Sequence, residues 1–198
     1  MDDLLTTITV SDYAFADIAI FVDYWHDGST THIRDMGVDQ DRLPTRQAMT
    51  EALDAALGRR LSWPERAASR LVAIRASERT IGFHQVTDFE TRERAAVMHG
   101  YITDPAWRGR GVGTVSYVKA MQKFFDRFDL NSIIFETPNN NLAAQAVKRK
   151  LGIRPCGEVV VRKPFLIEPL SAIRYVVQRD DMARVLRNMC NASAHTRS

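Results

Sequence analysis

Arg108, Gly109, Arg110, Gly111, Val112, Gly113 and Thr114 form a single run, preceded by Asp104, Pro105, Ala106 and Trp107. The chemistry open to such a run is anion binding. Its glycines lack Cβ, so a ligand can approach the main chain closely. Where a helix opens at the end of the run, its first N–H groups have no intrahelical partner and the macrodipole leaves partial positive charge on them. Two arginines add charge and forked donors, a combination that suits a phosphate. Spacing excludes two common phosphate loops. A Walker loop needs Lys-Ser or Lys-Thr after its glycines, and neither follows here. A dinucleotide fingerprint needs its third glycine three residues after the second, whereas Gly113 stands one residue early.

The pattern that does fit is R-x-x-G-x-G, given by Arg108, Gly111 and Gly113. A second pattern follows downstream: Asn141, Ala144 three residues on, then Leu151 and Gly152 at the end of a helical segment. Asn141 suits an N-cap and Gly152 a C′ position. Together the two resemble motifs A and B of the GNAT superfamily of N-acetyltransferases. The resemblance spans roughly residues 3–179 and is specific over residues 95–152. It implies acetyl-CoA as co-substrate, with its pyrophosphate held by the main chain of residues 108–114. It further implies that main-chain groups of Tyr101, Ile102 and Thr103 align the pantetheine arm, and that Asn141 contacts the cofactor or sets its helix. The activity implied is direct transfer of the acetyl group, in a ternary complex, to the primary amine of a small molecule. Two rivals stay open: a protein N-terminal acetyltransferase of the ribosomal-protein type, and a CoA-binding module without turnover. The chain departs from the family at one place. The motif B tyrosine that serves as general acid is replaced by Lys148, which leaves Tyr101 and Tyr117 as candidate donors.

An amine acceptor needs a base, because freeing an amine of pKa about 10.4 at neutral pH takes about 4–5 kcal/mol. Histidine titrates in the right range. His99 lies in the strand run before the glycines and shares a strand face with Tyr101 and Thr103. Arylalkylamine N-acetyltransferases look similar at this point, which makes His99 the candidate base; the alternative is a histidine hydrogen-bonded within the sheet. His84 occupies the preceding strand run. A hairpin turning near Thr91 and Arg92 sets residues 84 and 99 opposite one another as a proton relay, provided the register does not slip by one. The basic run Lys148, Arg149, Lys150 reads as cations complementing a helix C-terminus, with a CoA phosphate contact as the alternative.

The elements that would position these residues follow from periodicity. Strands are expected at 5–10, 71–76, 81–87, 95–103, 132–137, 158–162 and 171–178. Helices are expected at 12–27, from 44 to Gly58, at 115–128, 142–151 and 180–187. The order βααβββαβαββ matches the acetyltransferase fold, so the resemblance implies an α+β (α/β sandwich) fold with a central mixed, mostly antiparallel sheet flanked by helices. The domain is taken as residues 1–180, with a C-terminal helix and polar tail over 181–198. The resemblance further implies an acceptor wall between the first and second strands, residues 11–70. There Tyr24, Trp25 and Trp63 read as core, the loop 28–31 and the block Met36, Gly37, Val38, Asp39 as pocket, and Asp35 and Asp39 as attractors of a cationic amine.

Composition bounds the rest. The chain has 198 residues, 45% hydrophobic, enough for one good core. A balance of 27 basic against 24 acidic residues gives +3, which does not suggest nucleic acid. No run of 18 apolar residues exists and the N-terminus is acidic, so neither a membrane span nor a signal peptide is expected. The reading is a cytoplasmic protein with two reduced thiols, Cys156 and Cys190, no metal site, and a homodimer left open.

Overall fold

The computed structural model describes residues 4–58 and 70–195. Among the described residues seven strands occur in chain order as β1 (Ile8–Asp12), β2 (Leu71–Ala76), β3 (Arg79–Glu90), β4 (Ala95–Ile102), β5 (Ser132–Pro138), β6 (Pro155–Val161) and β7 (Leu170–Gln178). They form one sheet in the order β1-β2-β3-β4-β5-β7-β6. Every neighbouring pair is antiparallel except β4 and β5. The helices are α1 (Leu4–Thr7), α2 (Ile18–His26), α3 (Thr30–Asp35), α4 (Arg46–Gly58), α5 (Val112–Phe128), α6 (Leu142–Lys150) and α7 (Met182–His195). The expected α+β sandwich is present.

The sheet is buried on both faces. On one, α5 sets Val118, Met121, Phe124, Phe125 and Phe128 against Val86, Ile133 and Phe135. Each such side chain contributes about 1.5–3 kcal/mol by burial. On the other face, Phe83 and Tyr101 meet Tyr24, Trp25 and Ile33 from α2 and α3. Several boundaries differ from the expected ones, and three of them concern whole segments. The first strand begins at Ile8, because Leu4–Thr7 makes a helical turn. The polar stretch after residue 28 contains α3, anchored by the single fully buried Ile33; one apolar residue makes no period to read. The C-terminal helix continues to His195, beyond the expected end at 187, with Val185 and Met189 inside the α5 core. Trp63 lies outside the described residues.

Gly100 on β4 pairs with His84 on β3, and a Cβ there would lie 2.3 Å from His84 Nδ1 and 2.9 Å from Tyr117 Cζ. The imidazole fills the space a side chain would take. Gly100→Ala should therefore lower stability by about 1–3 kcal/mol, seen as a fall in the denaturant midpoint. An unchanged midpoint would show that His84 is not wedged there.

Candidate active site

The two parallel strands part. β4 and β5 pair only at Ala95–Ser132, Ala96–Ile133 and Val97–Ile134. Beyond that point β5 pairs with β7 alone, as far as Pro138. The crossover between the parallel strands is α5, as a parallel connection requires. A cavity of about 450 Å³ runs through the opening. Tyr117, Phe135, Ala144 and Lys148 line it on the α5 and α6 side, and Gln85, His99, Tyr101, Trp25 and Met36 on the α2 and α3 side.

At one end of the opening stands the N-terminus of α5. Helix starts at Val112, not at 115, so Gly113 and Thr114 belong to its first turn. Gly111 is the N-cap, at φ 87°, and no side chain caps the helix. The amides of Val112, Gly113 and Thr114 therefore have no partner within the helix. Arg110 lies with its guanidinium 5.6 Å from the Trp107 ring centroid, and Arg108 Nε donates to the Ile102 carbonyl at 2.9 Å. Two of the expected cofactor contacts are committed elsewhere: the Thr103 amide donates to the Ile81 carbonyl at 3.0 Å, and the Ile102 carbonyl accepts Arg108. Asn141 Oδ1 accepts the Ala144 amide at 3.0 Å, so this residue sets α6, and it also lines the cavity.

The register corrects one expectation. Gln85 stands opposite His99, and His84 opposite Gly100. The one-residue offset puts the two imidazoles on opposite faces of the sheet. His84 is buried on the α5 face, with Nε2 3.0 Å from Ser116 Oγ and Nδ1 3.3 Å from the His99 carbonyl, and it does not reach the cavity as a relay partner. Burial pulls its pKa down to about 3.

His99 does face the cavity, half-buried. Its Nε2 is 3.0 Å from Thr87 Oγ1, and the Thr87 hydroxyl donates its one proton to Asp88 Oδ2 at 2.8 Å. The threonine oxygen can then only accept, so His99 carries its proton on Nε2 and leaves the Nδ1 lone pair free. Asp88 is itself held by Lys163 Nζ at 2.5 Å. Burial lowers the His99 pKa to about 4, against the raising influence of Asp88, so the ring is neutral at pH 7. Tyr101 is wall: it packs on Phe83, Tyr24 and Trp25, and burial pushes its phenol up, which makes it a poor acid.

Two charged cavity residues, Glu136 and Lys163, escaped sequence reasoning, and Lys148, which stands at the motif B tyrosine position, is buried against the cavity. Lys148 is not the solvated end of a basic run. The usable signal was its spacing, because Asn141, Ala144 and Lys148 fall at i, i+3 and i+7 on one face of α6. Of the acceptor segment, Met36 and Val38 line the cavity, whereas residues 28–31, Asp35 and Asp39 do not. Asp39 pairs with Arg42 at 3.0 Å.

A sheet that opens between its only parallel strands, with the connecting helix starting on a glycine at the mouth, is the acetyltransferase architecture. The chain belongs to the GNAT acetyltransferases: the family model described as "Acetyltransferase (GNAT) domain" matches residues 7–154. It is therefore an acyltransferase, and acetyl-CoA is the acetyl donor of its family. No curated protein matches the sequence. Among solved structures it is similar to spermidine N-acetyltransferase from Vibrio cholerae in complex with CoA and spermine, with TM-score 0.70 and 14% identity over 90% of this chain and 99% of that one. It is similar also to Mycobacterium smegmatis RimJ in complex with CoA-disulfide, with TM-score 0.67 and 14% identity over 91% and 88%. A GNAT-family acetyltransferase from Bacillus anthracis matches at TM-score 0.65 and 14% identity over 88% and 96%. At these identities the likeness is one of fold.

Proposed function

We propose that the protein transfers the acetyl group of acetyl-CoA directly to the primary amine of a small molecule with an apolar body. The observation that carries this reading is the cavity itself, which joins the open β4 edge to an aromatic and aliphatic wall with His99 between them. The first-turn amides of α5, with Arg108 and Arg110, hold the pyrophosphate. The pantetheine arm lies in the gap between β4 and β5. His99 Nδ1 takes the proton that the attacking amine sheds. Apolar surface surrounds the acceptor side, from Phe21, Trp25, Met36, Leu43, Met49 and Leu166. One domain, working in the cytoplasm, is part of the same reading, which the two exposed free thiols of Cys156 and Cys190 support. Among the described residues no helix is long and apolar enough to cross a membrane.

The wall also says what is disfavoured. A polyamine carries several ammonium groups, each needing an anion when desolvated. The cavity offers one carboxylate, Glu136, and it already accepts Arg174 at 2.6 Å, while Lys163 and Lys148 add positive charge. Specificity by such repulsion is common in recognition sites. A panel of 2-phenylethylamine, hexylamine, spermidine and peptides with free N-termini tests the reading. Arylalkyl- and alkylamines should exceed spermidine in kcat/KM by at least about tenfold, the equivalent of one unpaired contact at 1.4 kcal/mol. Preferred turnover of spermidine, or of peptides, would overturn the small apolar acceptor. Tight CoA binding without transfer across the panel would make the protein a binding module.

A further inference from the structure

Lys148 is a lysine buried among aromatic rings. It is 2% exposed, and its Nζ lies 4.3 Å from the Tyr117 ring centroid and 4.9 Å from that of Phe135. Lysine heads normally snorkel to water, and buried ones are normally paired. Among the described residues no carboxylate forms an ion pair with this one, and only aromatic faces attract it. Its position is specific. α6 presents Asn141, Ala144 and Lys148 to the cavity, so the ammonium forms the wall where the parallel strands separate, across the gap from His99.

On the acetyltransferase reading above, we propose that Lys148 is the acid of the transfer, its ammonium giving a proton to the coenzyme A sulfur as the thioester opens. The acceptor's free amine forms the C–N bond to the acetyl carbon. The C–S bond breaks with its electron pair on sulfur, and sulfur takes a proton from Lys148 Nζ. The proton lost from nitrogen goes to His99 Nδ1. Lys148 is left as a neutral amine and His99 as imidazolium. Both reset by exchange with water when the products leave.

The burial explains why a lysine can do this. An ordinary ammonium, at about 10.4, is a weaker acid than a thiol at about 8.5 and would keep its proton. Burial, with no opposing charge, brings Lys148 down to about 7. The transfer to sulfur is then downhill. The groups that face Lys148 preserve this: Tyr117 on α5 is a phenol pushed up by burial, His84 on β3 and His99 on β4 are neutral at pH 7, and Glu136 on β5 is engaged by Arg174. A carboxylate in the ring box would restore the ordinary value and end the donor role.

Two variants separate proton donation from charge. Lys148→Met removes the cation and keeps the length. Lys148→Arg keeps the cation and its ring contacts but cannot release a proton. Thiol release from acetyl-CoA is followed with 2-phenylethylamine and with hydroxylamine, a small nucleophile that needs no acceptor pocket. Both variants should lose about 10²-fold or more in kcat with acetyl-CoA affinity retained. With hydroxylamine, a weak base already largely unprotonated at neutral pH, the wild-type kcat should fall as pH rises through about 7, and neither variant should show that fall. A readout independent of turnover is stability against pH. The unfolded lysine keeps its proton to higher pH than the folded one, so wild-type stability should rise between about pH 7 and 10, and that of Lys148→Met should not.

Wild-type kcat in Lys148→Arg would leave charge as the whole effect and overturn the donor role. Wild-type kcat in Lys148→Met would overturn any role, and an acetyl group found stably attached to Lys148 would make it a nucleophile instead. Wild-type protein that binds no acetyl-CoA would overturn the acetyltransferase reading and this proposal with it. Binding with thiol release no faster than the uncatalysed rate overturns catalysis by either group.

Discussion

His99→Ala should lower kcat/KM by about 10²–10⁴ while acetyl-CoA still binds. The expectation rests on a proton inventory. Thr87 spends its hydroxyl proton on Asp88 and so fixes the His99 tautomer with Nδ1 bare. The ring is neutral throughout the neutral range, because burial holds its pKa at about 4. That same lowering weakens it as a base, which by Brønsted reasoning moves the expected loss toward the lower end of the range. Two pH consequences follow. Protonation should not remove His99 from service until pH falls to about 4. Any fall in rate between pH 7 and 5 then belongs to protonation of the acceptor amine. Thr87→Val is the companion variant: it keeps the imidazole but frees the tautomer, and should cost about tenfold or more, as loss of a supporting partner of a reacting group commonly does. Steady-state kinetics beside calorimetric titration of acetyl-CoA decide the matter. Unchanged turnover in His99→Ala would remove the histidine from the mechanism and leave water as the proton acceptor.

The parts of this architecture that sequence discloses are those fixed by local chemistry. The opening of α5 at Gly111 needs one residue at positive φ and a helix start, and both requirements are written in consecutive positions. The α5 stripe of Val118, Met121, Phe125 and Phe128 gives its helix away in the same manner, because a period of 3.6 is readable without knowing the partner. What depends on pairing is not readable. Whether His84 or Gln85 meets His99 turns on a single residue of hairpin length, and the hairpin takes two residues of positive φ, Asp88 and Arg94, that no composition rule announces. The gap between β4 and β5 is a ladder that stops after Val97, a tertiary event with no residue to mark it. Lys148 misleads for a related reason. Next to Arg149 and Lys150 it looks like a solvated helix end, and only the placement of Tyr117 and Phe135 opposite it makes it a buried site residue.

Gly111→Val should raise the dissociation constant for acetyl-CoA on the order of 100-fold, about 2.7 kcal/mol. Gly111 sits at φ 87° as the residue that turns the chain into α5. A β-branched residue is a genuine outlier there, with strain of about 1–3 kcal/mol even in free space. Space is not free, since a Cβ would lie 3.3 Å from Leu4 Cδ1. The chain relieves the strain by rotating the first turn of the helix, and that rotation re-aims the amides of Val112, Gly113 and Thr114. Charge-assisted hydrogen bonds are worth about 1.5–3 kcal/mol each. Losing the aim of one is enough for the predicted change, and losing two exceeds it. The rest of α5 is held by Phe124, Phe125 and Phe128 in the core, so the variant should fold. Calorimetric titration of acetyl-CoA, beside circular dichroism to establish that the protein is folded, gives the answer. Wild-type affinity in a folded Gly111→Val protein would mean that the pyrophosphate is bound elsewhere and that the opening of α5 is only a turn.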